Sequence, residues 1–302
     1  ELGFVRDTLE KVYRLTDILE YLNRNLLLRE SLALKGGTAI NLTIFNLPRL
    51  SIDIDLDYAK PDSLPEMQVG RADVSQSILK HIGALGYSLG SKSKTTHSLD
   101  SWVLEYTNAG GNKDRIKLEI NYSMRAHLFP LEARPIVTDA IESEFTVSSL
   151  SPMELYASKI AALINRTAAR DLYDVHSMVH LGLFDESQFP LLRKSVVFYA
   201  VLSGSDVPTD FDAAAIDGLT HHRIRTELLP VLRRRETFNL DSSKAEVKRF
   251  IQRLMRLEEP EKEFLSSWRG RVYRPDLLFD DPEIVKRIEA HPMALWKAGM
   301  TS

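Results

Sequence analysis

Between residues 51 and 58 apolar and polar side chains alternate without a break, with Ile52, Ile54 and Leu56 on one side and Ser51, Asp53, Asp55 and Asp57 on the other. A period of two marks a β-strand with one buried face. Residues 115–122 repeat the pattern, setting Ile116, Leu118, Ile120 and Tyr122 against Arg115, Lys117, Glu119 and Asn121. An isolated strand or hairpin is barely stable in water, so the two apolar faces require a covered sheet. Its polar face then carries acids.

The rest of the first half supplies what such a sheet needs. Val5, Leu9, Val12, Leu15, Ile18 and Leu22 recur at helical spacing and predict a helix over residues 3–27. A short strand is expected at 32–35, a turn at Gly36-Gly37, helices at 38–45 and 74–85, and further extended chain at 87–90. Residues 102–107 and 115–122 read as a hairpin across the Asn- and Gly-rich segment 108–113. Past residue 150 the pattern becomes helical, at 153–165, 171–181, 191–202, 224–234, 244–257 and 282–290. The expectation is an α+β protein with a boundary near 150: an N-terminal lobe, 1–150, with a small mixed sheet, and a helical C-terminal lobe, 151–302. A chain of 302 residues can give each lobe its own core.

Composition narrows the chemistry. There is no cysteine, which excludes disulfides, thiolate zinc sites and cysteine nucleophiles. No apolar run reaches the length of a membrane span, the longest candidate being residues 196–202. The charged first twelve residues do not read as a secretory signal, the missing initiator Met suggests a trimmed start, and a cytoplasmic home is expected. With a net charge of -3, any nucleic-acid binding must use a local basic surface. Arg223, Arg225, Arg233, Arg234 and Arg235 are the obvious stretch, although such arginines also make an ordinary solvated helix face.

Asp53 and Asp55 leave the same face of their strand about 7 Å apart at the backbone, close enough to share a hard cation such as Mg²⁺ or Mn²⁺. Glu119 offers a third carboxylate on another strand. Gly36-Gly37-Thr38 lies between a strand and a helix, where bare backbone N–H groups can receive phosphate. It is not a Walker loop, because Lys35 precedes the glycines. Taken singly, these features also read as a wet strand edge, a solvated glutamate and a glycine turn.

In order along the chain, Gly36-Gly37-Thr38, the segment Arg49-Leu50-Ser51-Ile52-Asp53-Ile54-Asp55-Leu56, and Lys117-Leu118-Glu119-Ile120-Asn121 resemble the polymerase-beta-like nucleotidyltransferases. The likeness is to the AbiEii/AbiGii toxins of type IV toxin-antitoxin systems in particular. It continues through Ser151-Pro152-Met153-Glu154-Leu155, Lys159, Arg166 and Ala169-Arg170-Asp171-Leu172-Tyr173-Asp174, and ends with residues 273–279 and 291–297. Thr38 departs from the usual Ser, and Glu119 from the frequent Asp.

The resemblance implies a metal-dependent nucleotidyltransferase that moves NMP from an NTP to an RNA acceptor, the tRNA 3′ end being the expected one. It also implies growth arrest, a cognate antitoxin and a place in phage defence. Asp53, Asp55 and Glu119 would hold Mg²⁺ or Mn²⁺, and Gly36, Gly37, Thr38, Lys159, Arg166 and Asp174 would serve the nucleotide in a cleft. Asp171 would join the catalytic set or hold Lys159 or Arg166. Lys159 and Arg166, seven apart, share a helix face, as do Asp171 and Asp174. By strand alternation Ser51 would stand beside the acids, where phosphorylation could silence them.

His176 and His180 have i, i+4 spacing, but Ser177 occupies the glutamate position of a zinc-protease motif, so helix packing is expected there. Two rivals remain. One is transfer to a small molecule or a protein, and the other is nucleotide binding without transfer.

Overall fold

The opening amphipathic stretch does not run as one helix. Asn25 leaves the helical conformation and accepts the amide of Leu28 on its side chain, so α1 (Arg6–Arg24) stops and α2 (Leu26–Ser31) starts from a capped end. The computed structural model describes residues 3–138, 141, 143–204, 211 and 213–299. The chain divides into two units, Glu1–Ser151 with Val231–Arg234, and Pro152–Pro230 with Arg235–Ser302.

The first unit is built on one mixed eight-stranded sheet. Its strands are β1 (Leu32–Lys35), β2 (Asp53–Tyr58), β3 (Ser88–Leu89), β4 (Lys94–Thr95), β5 (Leu99–Thr107), β6 (Lys113–Asn121), β7 (Glu132–Pro135) and β8 (Thr146–Ser149). They lie in the order β3-β5-β6-β2-β1-β8-β7, with β4 also paired to β5. β2 runs parallel to β6 and antiparallel to β1, while β8 runs parallel to β1. The hairpin β5-β6 is as expected, though longer. Its turn is held by Asn108, whose side-chain oxygen accepts the amides of Gly110 and Asn112.

Helix α3 (Gly36–Thr43) follows β1 and contacts both β1 and β2. Helix α4 (Leu64–Ala84) starts ten residues before the expected 74, because Ser63 and Glu66 form a capping box across its first turn, which also holds Pro65. The apolar face of α1, with Leu15, Ile18 and Leu19 wholly buried, lies against β6 and β8, and Asn23 accepts the amide of Ser148. Burial of that face supplies most of what holds α1, at roughly 1.5–3 kcal/mol per large side chain.

In the second unit every described regular element is helical. It contains α5 (Pro152–Arg166), α6 (Ala169–His180) and α7 (Phe189–Ser203), then Leu240–Leu254, Glu259–Arg269, Pro282–Ile288 and Pro292–Lys297. The expected helix at 224–234 is instead a π turn, Ile224–Leu228, and a 3-10 turn, Leu229–Val231. Pro230 has no amide to continue a helix. Val231–Arg234 belong to the first unit, where Leu50 donates to Val231 and Arg234 to Gly3.

Several motif residues near the end of the chain are structural. His291 caps the helix Pro292–Lys297 by accepting the amide of Ala294 at its Nδ1, and Tyr273 donates to the Ile288 carbonyl at 2.7 Å. Lys297 donates to the carbonyls of Val201 and Gly204 at the end of α7, where the helix dipole favours a cation.

Candidate active site

Sheet register brings the acids together. Asp55 on β2 stands directly abreast of Glu119 on the parallel neighbour β6, and Asp53 stands abreast of Lys117. Paired residues on adjacent strands are about 4.8 Å apart at the backbone and share a face, so Asp53, Asp55 and Glu119 leave the same side of the sheet. All three are half-buried, while Ile54, Leu118 and Ile120 between them are fully buried and keep the register from slipping.

Asp57 continues the same face but is otherwise engaged, since Lys35 of β1 binds its carboxylate at 2.5 Å. By register Asp55 is the acid abreast of Glu119, with Asp53 two residues before it.

Lys117 was legible in the sequence only as a flanking charge, and it is a member of the cluster. Its ammonium lies 2.8 Å from the Glu119 carboxylate. Burial opposes the charge on Lys117, but Glu119, with Asp53 and Asp55 acting through space, outweighs burial and holds its pKa above the ordinary lysine value. Glu119 answers in kind. Burial would raise its carboxyl, yet Lys117 and the Ser101 hydroxyl hold it below the usual carboxylate range. Ser101 is abreast of Glu119 on β5, a placement that only the pairing of β5 with β6 reveals.

The glycine turn is fitted to this cluster. Gly36 has φ +69°, and a Cβ there would come within 2.7 Å of an Asp55 carboxylate oxygen. A Cβ on Gly37 would meet the Arg49 guanidinium at 2.6 Å and the Ser51 hydroxyl at 3.1 Å. Thr38 is wholly buried, and its hydroxyl donates to the Asp53 carbonyl, tying α3 to the acidic strand. Ser51 lies just ahead of β2, which begins at Asp53, so its position is defined by Gly37 and not by strand alternation.

Gly36→Ala is therefore expected to destabilise the chain by about 1–2 kcal/mol, the cost of a left-handed backbone for an L-residue. The clash with Asp55 adds to it. A thermal melt should show a drop on the order of 5 °C; an unchanged melt would mean the turn relaxes freely.

The second unit carries the other group of candidate residues. Lys159 on α5 binds Asp171 at 3.0 Å and Asp174 at 3.2 Å, both on α6, and Arg166 binds both oxygens of Asp171 at 2.8 and 3.2 Å. Asp171 and Asp174 are almost fully buried, Lys159 nearly so, and the Arg166 side chain is mostly exposed. Burial would raise the Asp171 carboxyl, but Lys159 and then Arg166 hold it below the usual range. The helical spacings thus produce the expected shared faces. Their charges are directed at each other.

The oxygen-only donor set of Asp53, Asp55 and Glu119 suits a hard divalent cation. The missing Cβ at Gly36 leaves the Asp55 carboxylate its space, and the Lys117 ammonium lies 2.8 Å from the Glu119 carboxylate. These residues fit the metal that the fold family implies.

The family model "Nucleotidyl transferase AbiEii toxin, Type IV TA system" matches residues 17–275. Among solved structures the chain is similar to MenT4, a nucleotidyltransferase toxin from Mycobacterium tuberculosis H37Rv. The TM-score is 0.64 and the identity 20%, over 98% of this chain and 94% of that one. No curated protein sequence matches. With its family model spanning most of the chain, and its three acids in register on adjacent strands, this chain belongs to the AbiEii nucleotidyltransferase toxin family of type IV toxin-antitoxin systems.

Proposed function

We propose that the protein is a metal-dependent nucleotidyltransferase toxin that transfers NMP from an NTP to an RNA acceptor, the tRNA 3′ end, and thereby arrests growth until a cognate antitoxin intervenes. The observation that carries this reading is the abreast pairing of Asp55 with Glu119, with Asp53 two residues away on the same face. Lys117 offsets part of the repulsion among these carboxylates, and a hard divalent cation would offset more.

Asp53, Asp55 and Glu119 would hold Mg²⁺ or Mn²⁺, which when bound supplies charge neutralisation at the α-phosphate and lowers the pKa of the attacking hydroxyl. The acceptor hydroxyl forms a bond to the α-phosphorus, its proton passes to solvent or to a carboxylate, and the bond to pyrophosphate breaks. Gly36 and Gly37 contribute bare backbone at the start of α3 for phosphate, with Thr38 bracing the turn. Lys159, Arg166 and Asp174 are assigned to the nucleotide and Asp171 to holding the two cations. The division into a catalytic lobe, 1–150, and a helical nucleotide- and acceptor-binding lobe, 151–302, belongs to the same proposal. Among the described residues no helix is long and apolar enough to cross a membrane, and a cytoplasmic setting in phage defence is part of the reading.

The test is to incubate the purified protein with each labelled NTP, Mg²⁺ and total RNA. Label should enter RNA, stop on chelation, and return with Mg²⁺ or Mn²⁺, whereas Ca²⁺, with its longer and looser coordination, should support binding better than chemistry. Activity in excess chelator rejects the metal. Label on protein or small molecules alone rejects the RNA acceptor.

Ser51 is proposed as a control point on the same site. A phosphate there adds about 1.5 to 2 negative charges beside Gly37, against the incoming triphosphate. Ser51→Asp should reduce transfer at least tenfold and relieve growth arrest on expression; wild-type behaviour in both assays would remove Ser51 from the reading.

A further inference from the structure

The His176 and His180 pair looks different once the fold is known. Both side chains lie on one face of α6, one turn apart, with ring centroids 5.8 Å apart and planes within 16° of parallel. The helix Leu240–Leu254 packs against α6 and presents Glu246 to them, with a Glu246 carboxylate oxygen 3.1 Å from His176 Nε2. One ligand atom from each of the three residues lies within 4.8 Å of the others.

We infer that His176, His180 and Glu246 form a transition-metal site, for a cation of the zinc class, that fastens α6 to the helix Leu240–Leu254.

The donor chemistry separates this site from the carboxylate cluster of the first unit. Two imidazoles and one carboxylate suit Zn²⁺ and its neighbours, whereas Mg²⁺ takes oxygen donors. The spacing fits as well. Two atoms bonded to one tetrahedral zinc at about 2.0–2.2 Å stand roughly 3.3–3.5 Å apart, close to the separation of His176 and Glu246 already present. His180 is exposed and needs only side-chain rotation to close the set, leaving a fourth position for water. Phe238 packs edge-on against His176 at 5.9 Å and also against Tyr173, so one side of the ring is fixed by apolar contact.

The spacing alone did not reveal the site because its third ligand comes from a different helix. Serine in place of the glutamate removes the general base of the zinc-protease motif but leaves both imidazoles able to bind an ion. Bound there, the ion would brace the helix that carries Asp171 and Asp174, without contributing to phosphate chemistry.

The test uses all 302 residues of the chain in excess Mg²⁺, so that oxygen-rich groups do not compete. Zn²⁺ binding is measured by equilibrium dialysis and metal analysis, with Co²⁺ as a spectroscopic probe. One equivalent of Zn²⁺ should be retained, Co²⁺ should give a visible ligand-field band, and Zn²⁺ should raise the melting temperature. His180→Ala and Glu246→Gln should each lose affinity by at least about 10–100-fold, while Asp55→Asn keeps it. Because His180 is exposed, His180→Ala should melt like the natural chain when no Zn²⁺ is added, which keeps the comparison sound. Absence of saturable binding, equal affinity in either variant, or loss of Zn²⁺ in Asp55→Asn overturns the inference and leaves a metal-free His176–Glu246 hydrogen bond between two helices.

Discussion

Asp55→Asn should slow nucleotide transfer by about a thousandfold, equivalent to about 4 kcal/mol of barrier. The carboxamide has the shape of the carboxylate, so the close fit against Gly36 survives. What disappears is one negative charge from a cluster of three, at the position abreast of Glu119. Folding should change by less than about 1 kcal/mol, since the apolar face of β2 is untouched and like-charge repulsion is relieved. Single-turnover transfer beside a melting curve separates the two effects, and full activity would sink the metal assignment.

Lys159→Ala is expected to act mainly on stability. Lys159 and Arg166 balance Asp171 and Asp174, and both acids are almost fully buried. Removing the lysine takes a buried counter-charge away from both carboxylates, while Asp171 keeps its bonds to the largely exposed Arg166. Breaking such a pair from one side costs about 3–5 kcal/mol. Lys159→Ala combined with Asp174→Asn removes one charge of each sign and should recover part of the loss. A single variant that melts normally but uses NTP poorly would assign Lys159 to phosphate alone. Acid should act in the same direction. Asp171 is held below the usual carboxylate range, so its contribution is complete at neutral pH and is lost only as pH falls below about 4 and through its lowered value.

Strand alternation is a local property, and it made β2 and β6 readable with their acids on one face. The glycine turn and the facing pairs on α5 and α6 were readable for the same reason, since spacing within one element sets which side chains share a side. Partners across elements were not. Nothing near Lys117 in the chain announces that β6 lies parallel to β2, and nothing near His176 announces Glu246. β7 and β8 were missed because Glu132–Pro135 and Thr146–Ser149 carry almost no apolar pattern, unlike the equally short β1, and β8 pairs with the distant β1. The helix Glu259–Arg269 was overlooked because Pro260 reads as a breaker, although it sits in the first turn, where its missing amide costs nothing. The early start of α4 lay in its polar capping box, ahead of the apolar positions that periodicity detects.

The parallel pairing of β2 with β6 also sets when Glu119 can meet Asp55 along the growing chain. Parallel neighbours cannot be joined by a tight turn, and here α4, β3, β4 and β5 intervene before Glu119 reaches Asp55. Closing so long a loop costs entropy before any contact rewards it, so this pairing is among the slower events of folding. A ribosome-bound chain that has emerged only through α4 holds Asp53 and Asp55 without their third acid. If the three acids act together as proposed, a nascent chain cannot assemble them until synthesis has passed β6.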